Sequence, residues 1–262
     1  MQCKDFFDLY KICDSHLHLS DCTVYSIPLL NSENYYCISC AHSESEFTIQ
    51  NNIIKKKPDF ISAFGIHPQN PVIKNLDFLE NLIVENKISV IGETGFDFFT
   101  QELKGTEELQ KQAFESQLEF AVKYSLPMII HGRKCNDRFF FYAKQLSKVP
   151  AVLFHSYMGT FNEAQSLLNK GINCFFSFGK PLLNGNKKAI ECTCKLDSRQ
   201  LLLETDAPFQ VLKGEEYTKP SDIFNVYEKA FEIRGISSED KEKATGFTEQ
   251  LYSNFLQFRG KH

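Results

Sequence analysis

The sequence predicts an α/β protein, a single (β/α)8 TIM barrel, and three observations favour this fold class. Its 262 residues are close to the roughly 250 that one such barrel requires. Short apolar runs, typical of buried parallel strands, alternate with segments of helical periodicity. Histidines and carboxylates recur where these runs end, and in a barrel the carboxyl ends of the strands converge on the rim that carries the active site. We therefore predict one domain over residues 1–262.

Eight apolar runs are the predicted strands of this barrel. They comprise residues 11–17, 35–40, 60–66, 88–93, 127–131, 151–155, 172–177 and 200–205. Helical patterns separate most of these runs, and such alternation is typical of parallel β/α architecture. The sequence contains no internal repeat, low-complexity tract or long linker that would indicate a second domain.

The clearest predicted helix covers residues 107–124. Its apolar residues are predicted to form one buried face: Leu109, Ala113, Phe114, Leu118, Ala121 and Val122. Three shorter helices are predicted at residues 162–170, 224–233 and 248–258. Gly171 should lie directly after the first of these, where glycine often ends a helix. The stretches 96–106 and 209–221 are predicted to be irregular, and because both follow candidate site residues they should shape the substrate cleft.

The composition is that of an ordinary globular protein rather than a membrane-spanning one. Hydrophobic residues make up 42% of the chain and charged residues 24%, and no apolar run approaches the roughly 18 residues of a membrane span. Residues 1–5 lack the basic end and apolar stretch of a signal peptide, so we expect a cytoplasmic protein. The net charge of −4 gives no overall signal for nucleic-acid binding, so a nucleic acid would be bound locally and weakly. The sequence leaves the oligomeric state open, a monomer included.

The nine cysteines are interpreted as intracellular thiols, because their odd number does not suit a disulfide framework. Cys37 and Cys40 have the spacing of half a zinc knuckle, and His42 lies nearby. However, this segment is a predicted strand, in which residues three apart point to opposite faces. No second pair with the same spacing exists, so we expect no structural metal site made of cysteines.

His16 and His18 form an H-x-H pair at the end of the first predicted strand. Residues two apart on a strand project to the same face, which in a barrel can be the interior. The pair could then hold one cation between its imidazoles. Taken alone, the same two residues also fit a polar strand edge with solvated side chains.

Three further candidate ligands follow later strands. Glu93 lies between Gly92 and Gly95, where glycines let the backbone turn sharply, and its two oxygens could bridge two cations. His131 and His155 end the fifth and sixth apolar runs. A single histidine in such a position is more often a hydrogen-bonded core residue. Two on successive strands, together with the H-x-H pair, favour metal binding.

Asp206 follows the last apolar run, and a carboxylate there could bind a metal and also accept a proton from an attacking water. Glu204 is expected either to support a ligand or to form a surface salt bridge. His67 and Arg133 are candidate substrate contacts, since arginine suits phosphate through its planar fork of donors. For both, the alternative is a structural hydrogen bond.

The complete set of four imidazoles and two carboxylates could hold one or two divalent cations and activate water. Zn, Mn or Ni would suit these ligands, and Mg more weakly. The sequence does not choose among these metals.

Six motifs occur in order between residues 14 and 208. They are Asp14-Ser15-His16-Leu17-His18, Gly65-Ile66-His67-Pro68, Ile91-Gly92-Glu93-Thr94-Gly95-Phe96-Asp97, Ile130-His131-Gly132-Arg133, Phe154-His155-Ser156 and Leu203-Glu204-Thr205-Asp206-Ala207-Pro208. Together they resemble the TatD family of metal-dependent deoxyribonucleases, within the wider amidohydrolase-like barrels. Departures from the family's usual residues at Thr94, Phe96 and Lys134 lie outside the six ligands and bear on substrate choice.

The resemblance implies a ligand set and a reaction. One metal would be held by His16, His18, Glu93 and Asp206, and a second by Glu93, His131 and His155. The implied reaction is hydrolysis of DNA phosphodiester bonds, with single-stranded or frayed ends favoured, Glu93 as the bridge and Asp206 as the proton acceptor. Two alternatives stay open: another metal-dependent ester hydrolase, such as a D-aminoacyl-tRNA deacylase, and a noncatalytic metal-binding barrel.

Overall fold

The computed structural model describes residues 9–57, 59–237 and 240–259. Within these ranges eight parallel strands form one sheet in the order of the sequence, and each strand pairs with the next. The strands are β1 (Ile12–Leu17), β2 (Tyr35–Ala41), β3 (Phe60–Phe64), β4 (Val90–Asp97), β5 (Met128–Arg133), β6 (Val152–Phe154), β7 (Cys174–Phe178) and β8 (Leu201–Leu203). The predicted (β/α)8 barrel is confirmed. The single domain over residues 1–262 stays a prediction, and the signal-peptide argument on residues 1–5 lies outside the described residues.

Helices connect the strands. They are α1 (Leu19–Val24), α2 (Glu44–Ile54), α3 (Leu76–Val84), α4 (Gln101–Gly105), α5 (Glu107–Tyr124), α6 (Asn136–Phe141), α7 (Ala143–Leu146), α8 (Phe161–Asn169), α9 (Lys187–Lys195), α10 (Ile223–Ile233) and α11 (Lys241–Arg259). The predicted bounds of α5 are confirmed, whereas α11 begins at Lys241 rather than at residue 248. Gly171 follows α8 with a φ of +78°, as expected for a glycine that ends a helix. Among the described helices, none has the length and apolar character needed to cross a membrane.

The two ends of the barrel are filled differently. Alternate strand residues such as Ile38, Val90 and Leu153 form an apolar cluster inside the barrel, and Phe255 and Phe258 of α11 pack into this cluster. Helix α11 lies at the amino end of β8. There the side-chain amide of Asn254 donates hydrogen bonds to the backbone oxygens of residues 198 and 201. The amino end of the barrel is therefore closed by apolar side chains, which leaves the carboxyl end for polar groups.

The seam between β8 and β1 is closed by residues that lie just beyond β8. The backbone N–H of Asp206 donates to the carbonyl of His16 at 3.0 Å, and that of His18 donates to the carbonyl of Ala207 at 2.8 Å. The buried carboxylate of Asp14 accepts hydrogen bonds from both the backbone N–H and the hydroxyl of Thr205, at 2.9 and 2.6 Å. These hydrogen bonds between the segment after β8 and β1 also place Asp206 beside His16 and His18.

Strand β4 is longer than predicted. It continues through the glycines on either side of Glu93 and ends at Asp97, with an irregularity in its pairing to β5 between Ile91 and Thr94. The expectation of a sharp turn at Glu93 was therefore wrong, because here the glycines accommodate an irregular strand. The expectation of an irregular stretch over 96–106 was also wrong, since it contains the end of β4 and all of α4.

The buried face of α5 also differs from the prediction. Leu109 and Val122 are exposed, whereas Gln110 and Gln117 are fully buried beside Phe114. Gln117 accepts a hydrogen bond from a backbone N–H beyond β3 and donates to the hydroxyl of Thr94 in β4. A pattern that assigns only apolar residues to the core misses glutamines whose amides are satisfied by strand ends.

We predict that Gly95→Ala lowers the free energy of unfolding by about 1–3 kcal/mol, because a non-glycine residue there would be strained. Gly95 has a φ of +142°, and a Cβ atom would lie only 2.0 Å from the carbonyl oxygen of His131. Gly105→Ala is the control, because a Cβ there has no heavy atom within 4 Å and should change stability by less than about 1 kcal/mol. Urea unfolding of both variants measures this difference, and equal stabilities would contradict the prediction.

Candidate metal centre

The six predicted ligands lie together at the carboxyl end of the barrel. Each is buried, with no more than 8% of its surface exposed: His16, His18, Glu93, His131, His155 and Asp206. Five of them line a cleft of about 660 Å³, and His16 lies beneath it. His131 and Glu93 lie within their strands, and His155 and Asp206 lie just beyond theirs, yet all four reach the same rim.

Glu93 lies at the centre of this group. Its Oε2 atom faces the Nε2 atoms of His16 and His18 at 3.3 and 3.7 Å. Its Oε1 atom faces Nδ1 of His131 at 2.7 Å and Nε2 of His155 at 2.5 Å. Burial raises the pKa of the Glu93 carboxyl, but the imidazoles around it outweigh burial and hold that pKa well below its ordinary value. Each oxygen of this carboxylate therefore faces a different set of imidazoles, an arrangement that would suit a bridge between two cations.

Asp206 joins the group on the side of the H-x-H pair. Its Oδ1 atom lies 3.5 Å from Nε2 of His16 and 3.3 Å from Nε2 of His18, while its Oδ2 atom accepts a hydrogen bond from Gln210 at 2.8 Å. Burial raises the pKa of the Asp206 carboxyl, but the adjacent imidazoles of His16 and His18 outweigh burial and lower that pKa strongly. The group is therefore a carboxylate at neutral pH, with one oxygen held by Gln210 and the other directed at the imidazoles.

Asp97 and Cys40 contact two of the imidazoles at their second ring nitrogens. Nε2 of His131 lies 3.1 Å from Oδ2 of Asp97, and Nδ1 of His16 lies 3.5 Å from the thiol of Cys40. Such contacts fix which nitrogen carries hydrogen and which one is free to bind a metal. Neither partner is indicated by the sequence, because the contacts join residues from different strands.

Glu204 supports the site from below. It is completely buried, so the alternative of a surface salt bridge was wrong. Its Oε2 atom accepts a hydrogen bond from Ser177 at 2.5 Å, and its Oε1 atom lies 3.6 Å from Nδ1 of His155. This position suits a group that orients His155.

The donor set fits divalent cations. Donor atoms on one tetrahedral ion with bonds of about 2.1 Å lie about 3.4 Å apart, close to the separations of His16 and His18 from the two carboxylates. Nε2 of His16 is buried without a hydrogen-bond partner, as expected of an atom placed to bind a cation. The described clusters of three or more candidate ligands contain imidazoles and carboxylates but no thiol. Cys37 and Cys40 lie in separate apolar clusters.

The two predicted substrate contacts also line the cleft. Nδ1 of His67 accepts a hydrogen bond from the backbone N–H of Gln69 at 3.1 Å, so its Nε2 atom carries hydrogen and faces Glu93 at 3.4 Å. The guanidinium of Arg133 lies 4.0 Å from the ring centroid of Phe99 and 3.6 Å from Asp97, and its side chain is 40% exposed. Both side chains therefore present donors to the cleft.

One further histidine belongs to the site. His42, which the sequence analysis considered only beside the cysteine pair, has its Nε2 atom 3.7 Å from Oε2 of Glu93. It directly follows the last residue of β2, just as His155 directly follows β6. The rule that located the other ligands therefore also indicates this one, but the second predicted run ended at residue 40, one residue before β2 does.

Comparisons with known proteins identify the family of this chain. The family described as TatD-related DNase matches residues 13–253. YabD, named as a metal-dependent hydrolase of Bacillus subtilis, is 28% identical over 70% of this chain and 73% of its own length. A protein of Klebsiella pneumoniae named as the 3′-5′ ssDNA/RNA exonuclease TatD is 30% identical, over 56% of this chain and 57% of its own length.

A solved structure supports the same fold. The crystal structure of YjjV, a TatD homologue from Escherichia coli, has a TM-score of 0.80 at 22% identity and covers 95% of this chain and 98% of its own. The family match extends over nearly the whole chain, and the barrel is shared. The chain therefore belongs to the TatD-related DNase family of metal-dependent hydrolases.

Proposed function

We propose that this protein is a metal-dependent nuclease that hydrolyses phosphodiester bonds of DNA, with single strands or frayed ends as its preferred substrate. The observation that carries the proposal is the buried carboxylate of Glu93, whose two oxygens face separate imidazole pairs at the floor of an open cleft. A relative of about 30% identity is named as a single-strand exonuclease, which supports the choice of substrate.

The proximity of the donor atoms supports the ligand assignment that the family resemblance implies. One cation would bind to His16, His18, Glu93 and Asp206, and a second to Glu93, His131 and His155. Bound divalent cations supply Lewis-acid polarisation of the phosphate and lower the pKa of water to about 7. The nitrogen-rich donor set favours Zn, Ni or Mn over Mg.

Asp206 and His67 accept and donate the protons in this reaction. The water oxygen forms a bond to phosphorus, its proton passes to Asp206, and the bond from phosphorus to the sugar oxygen breaks. His67 can donate its Nε2 hydrogen to the leaving oxygen, because its other nitrogen already accepts a backbone hydrogen bond. Arg133 contributes a half-exposed guanidinium that can hold a phosphate next to the reacting one.

The walls of the cleft suit a single strand. Phe209 lines the cleft, is 46% exposed and lies 5.1 Å from the ring of His18, so a base could stack on it close to the reacting phosphate. Asp21 and Glu46 line the cleft beside His18 and His42, which disfavours a continuous phosphate backbone on that side. A strand end that enters the cleft avoids these two carboxylates.

The first test uses an end-labelled single strand and the same strand in a duplex, each incubated with the purified protein. Cleavage of the single strand should be faster, should stop with a chelator and should return when Zn²⁺, Mn²⁺ or Ni²⁺ is restored. Cleavage that persists in chelator would refute the proposed mechanism. No cleavage with any of Mg²⁺, Mn²⁺ or Zn²⁺ would instead favour the ester hydrolase or the noncatalytic barrel.

We expect Asp206→Asn to lower kcat by about 10²–10⁴-fold, because a positioned base contributes about this much to proton transfer. DNA binding should change far less, since the variant keeps all the imidazoles and the shape of the side chain. Asp21→Asn is the matched control: it also removes a carboxylate from the cleft wall, but from outside the ligand set. Turnover and metal content are measured together. Near-normal turnover of the loaded variant would reassign the proton acceptor, and loss of the metal would leave Asp206 as a ligand only.

Arg133→Gln should raise KM for a single strand and lower the slope of log KM against log salt concentration by about 1, the change expected from loss of one phosphate contact. Arg199→Gln is the control, because Arg199 is exposed, is paired with Asp197 and precedes β8 at the opposite end of the barrel. Steady-state kinetics at several salt concentrations provide both values. An unchanged slope in Arg133→Gln would assign that residue a structural role.

A further inference from the structure

Every histidine in the described part of the chain faces the carboxylate of Glu93. The six separations between ring nitrogen and carboxylate oxygen range from 2.5 to 3.7 Å. The two-metal assignment uses four of these imidazoles, which leaves His42 and His67. Both side chains are largely buried at the same cleft, and their ring centroids lie 5.0 Å apart. Their hydrogen bonds, however, give the two rings opposite chemical roles.

The difference lies in the nitrogen that points away from Glu93. Nδ1 of His42 lies 3.0 Å from the carbonyl oxygen of Gly65, and because a carbonyl can only accept, this nitrogen must carry the hydrogen. In the neutral ring, Nε2 of His42 then has a free lone pair. In His67 the order is reversed: Nδ1 accepts the N–H of Gln69, so Nε2 is the donor. Of the two rings, only that of His42 presents a lone pair to the site.

The ring of His42 is held in this orientation by its surroundings. Its backbone N–H donates to Glu46 at 2.7 Å, and its carbonyl accepts from the side-chain amide of Asn75 at 3.3 Å. Gly65, whose carbonyl fixes the ring, packs so closely on β4 that a Cβ atom would lie 2.7 Å from the backbone of Gly92. Nε2 of His42 is buried and has no hydrogen-bond partner. A histidine that binds a metal through one ring nitrogen usually donates the N–H of its other ring nitrogen to a group such as a backbone carbonyl.

We propose that His42 is an additional ligand of the cation on the side of the H-x-H pair. Its Nε2 atom forms a group with donor atoms of His18 and Glu93 in which all separations are within 4.8 Å. The inference rests on the metal site of the proposed function and extends it. A third imidazole at this position makes the site richer in nitrogen, so it selects Zn²⁺, Co²⁺ or Ni²⁺ over Mg²⁺ more strongly than the other ligands alone.

The test compares metal binding, not catalysis, in His42→Ala and in the matched control His67→Ala. Apoprotein is dialysed against Co²⁺ at graded concentrations, and bound metal is measured together with the visible absorption of the ion. In His42→Ala, affinity for one Co²⁺ should fall at least about 10-fold, the lower limit for loss of a group that supports a metal site. The absorption bands of that ion should also shift as a nitrogen ligand is lost, and the preference for Co²⁺ over Mg²⁺ should decrease. His67→Ala should change the affinity less than about 2-fold, because its cleft-facing nitrogen is a donor.

A second variant distinguishes the loss of a metal ligand from a folding defect. His42→Asn keeps a side-chain donor for the carbonyl of Gly65 but removes the imidazole, so it should show the same loss of affinity with a native circular dichroism spectrum. Equal affinities and spectra in wild type, His42→Ala and His42→Asn would overturn the inference, whether or not the protein cleaves DNA. A metal-binding loss in a protein that never cleaves DNA would support the inference and overturn the proposed nuclease. A wild type that binds no cation would overturn both.

Discussion

The burial of the Glu93 carboxylate is the constraint around which the site is arranged. Only 2% of this residue is exposed, and an isolated buried charge is costly unless it is paired and hydrogen-bonded. The barrel meets this requirement with imidazoles from β1 and β5 and from the segments that directly follow β1, β2, β3 and β6, all at the same rim. A cation between these groups would satisfy carboxylate and imidazole lone pairs together. The electrostatic requirement of one side chain therefore accounts for most of the polar residues at the carboxyl end.

The backbone around Glu93 is shaped to allow this convergence. Gly92 and Gly95 have φ values of +152° and +142°, and Cβ atoms there would collide with β5. Two buried glutamines of α5 form hydrogen bonds with groups at the ends of these strands. Gln110 accepts the N–H of Asp97, and Gln117 joins the end of β3 to Thr94. The helix thus positions Asp97, which in turn orients His131 and contacts Arg133.

The features that the sequence predicted correctly are those with a local signal. Each strand is a short apolar run. A candidate ligand within or just after such a run can be predicted from that stretch of sequence alone. The features that were missed depend on contacts between distant segments. Asp97 is recognised as a partner of His131 only when β4 is placed beside β5. Cys40 is recognised as a partner of His16 only when β2 is placed beside β1. Gln110 is polar in sequence but buried in the fold, because a strand end satisfies its amide. The glycines beside Glu93 carry a signal for unusual backbone, yet that signal does not distinguish a turn from an irregular strand.

The rim carries unusual backbone conformations as well as polar groups. Lys134, Ser156 and Asp206 have φ values of +55°, +44° and +54°, a region that costs free energy for residues with a Cβ atom. Each lies at or directly after a residue of the proposed site, where the strand has ended and the chain must turn to present a side chain to the cleft. The opposite end of the barrel is filled by Phe255 and Phe258. Non-glycine residues with positive φ occur there as well, at Ser26, Asn86 and Ser125 in connections that lead from a helix to the next strand. Apolar packing at one end of the barrel thus provides the stability that allows the other end to hold buried charges and strained residues in one fixed arrangement.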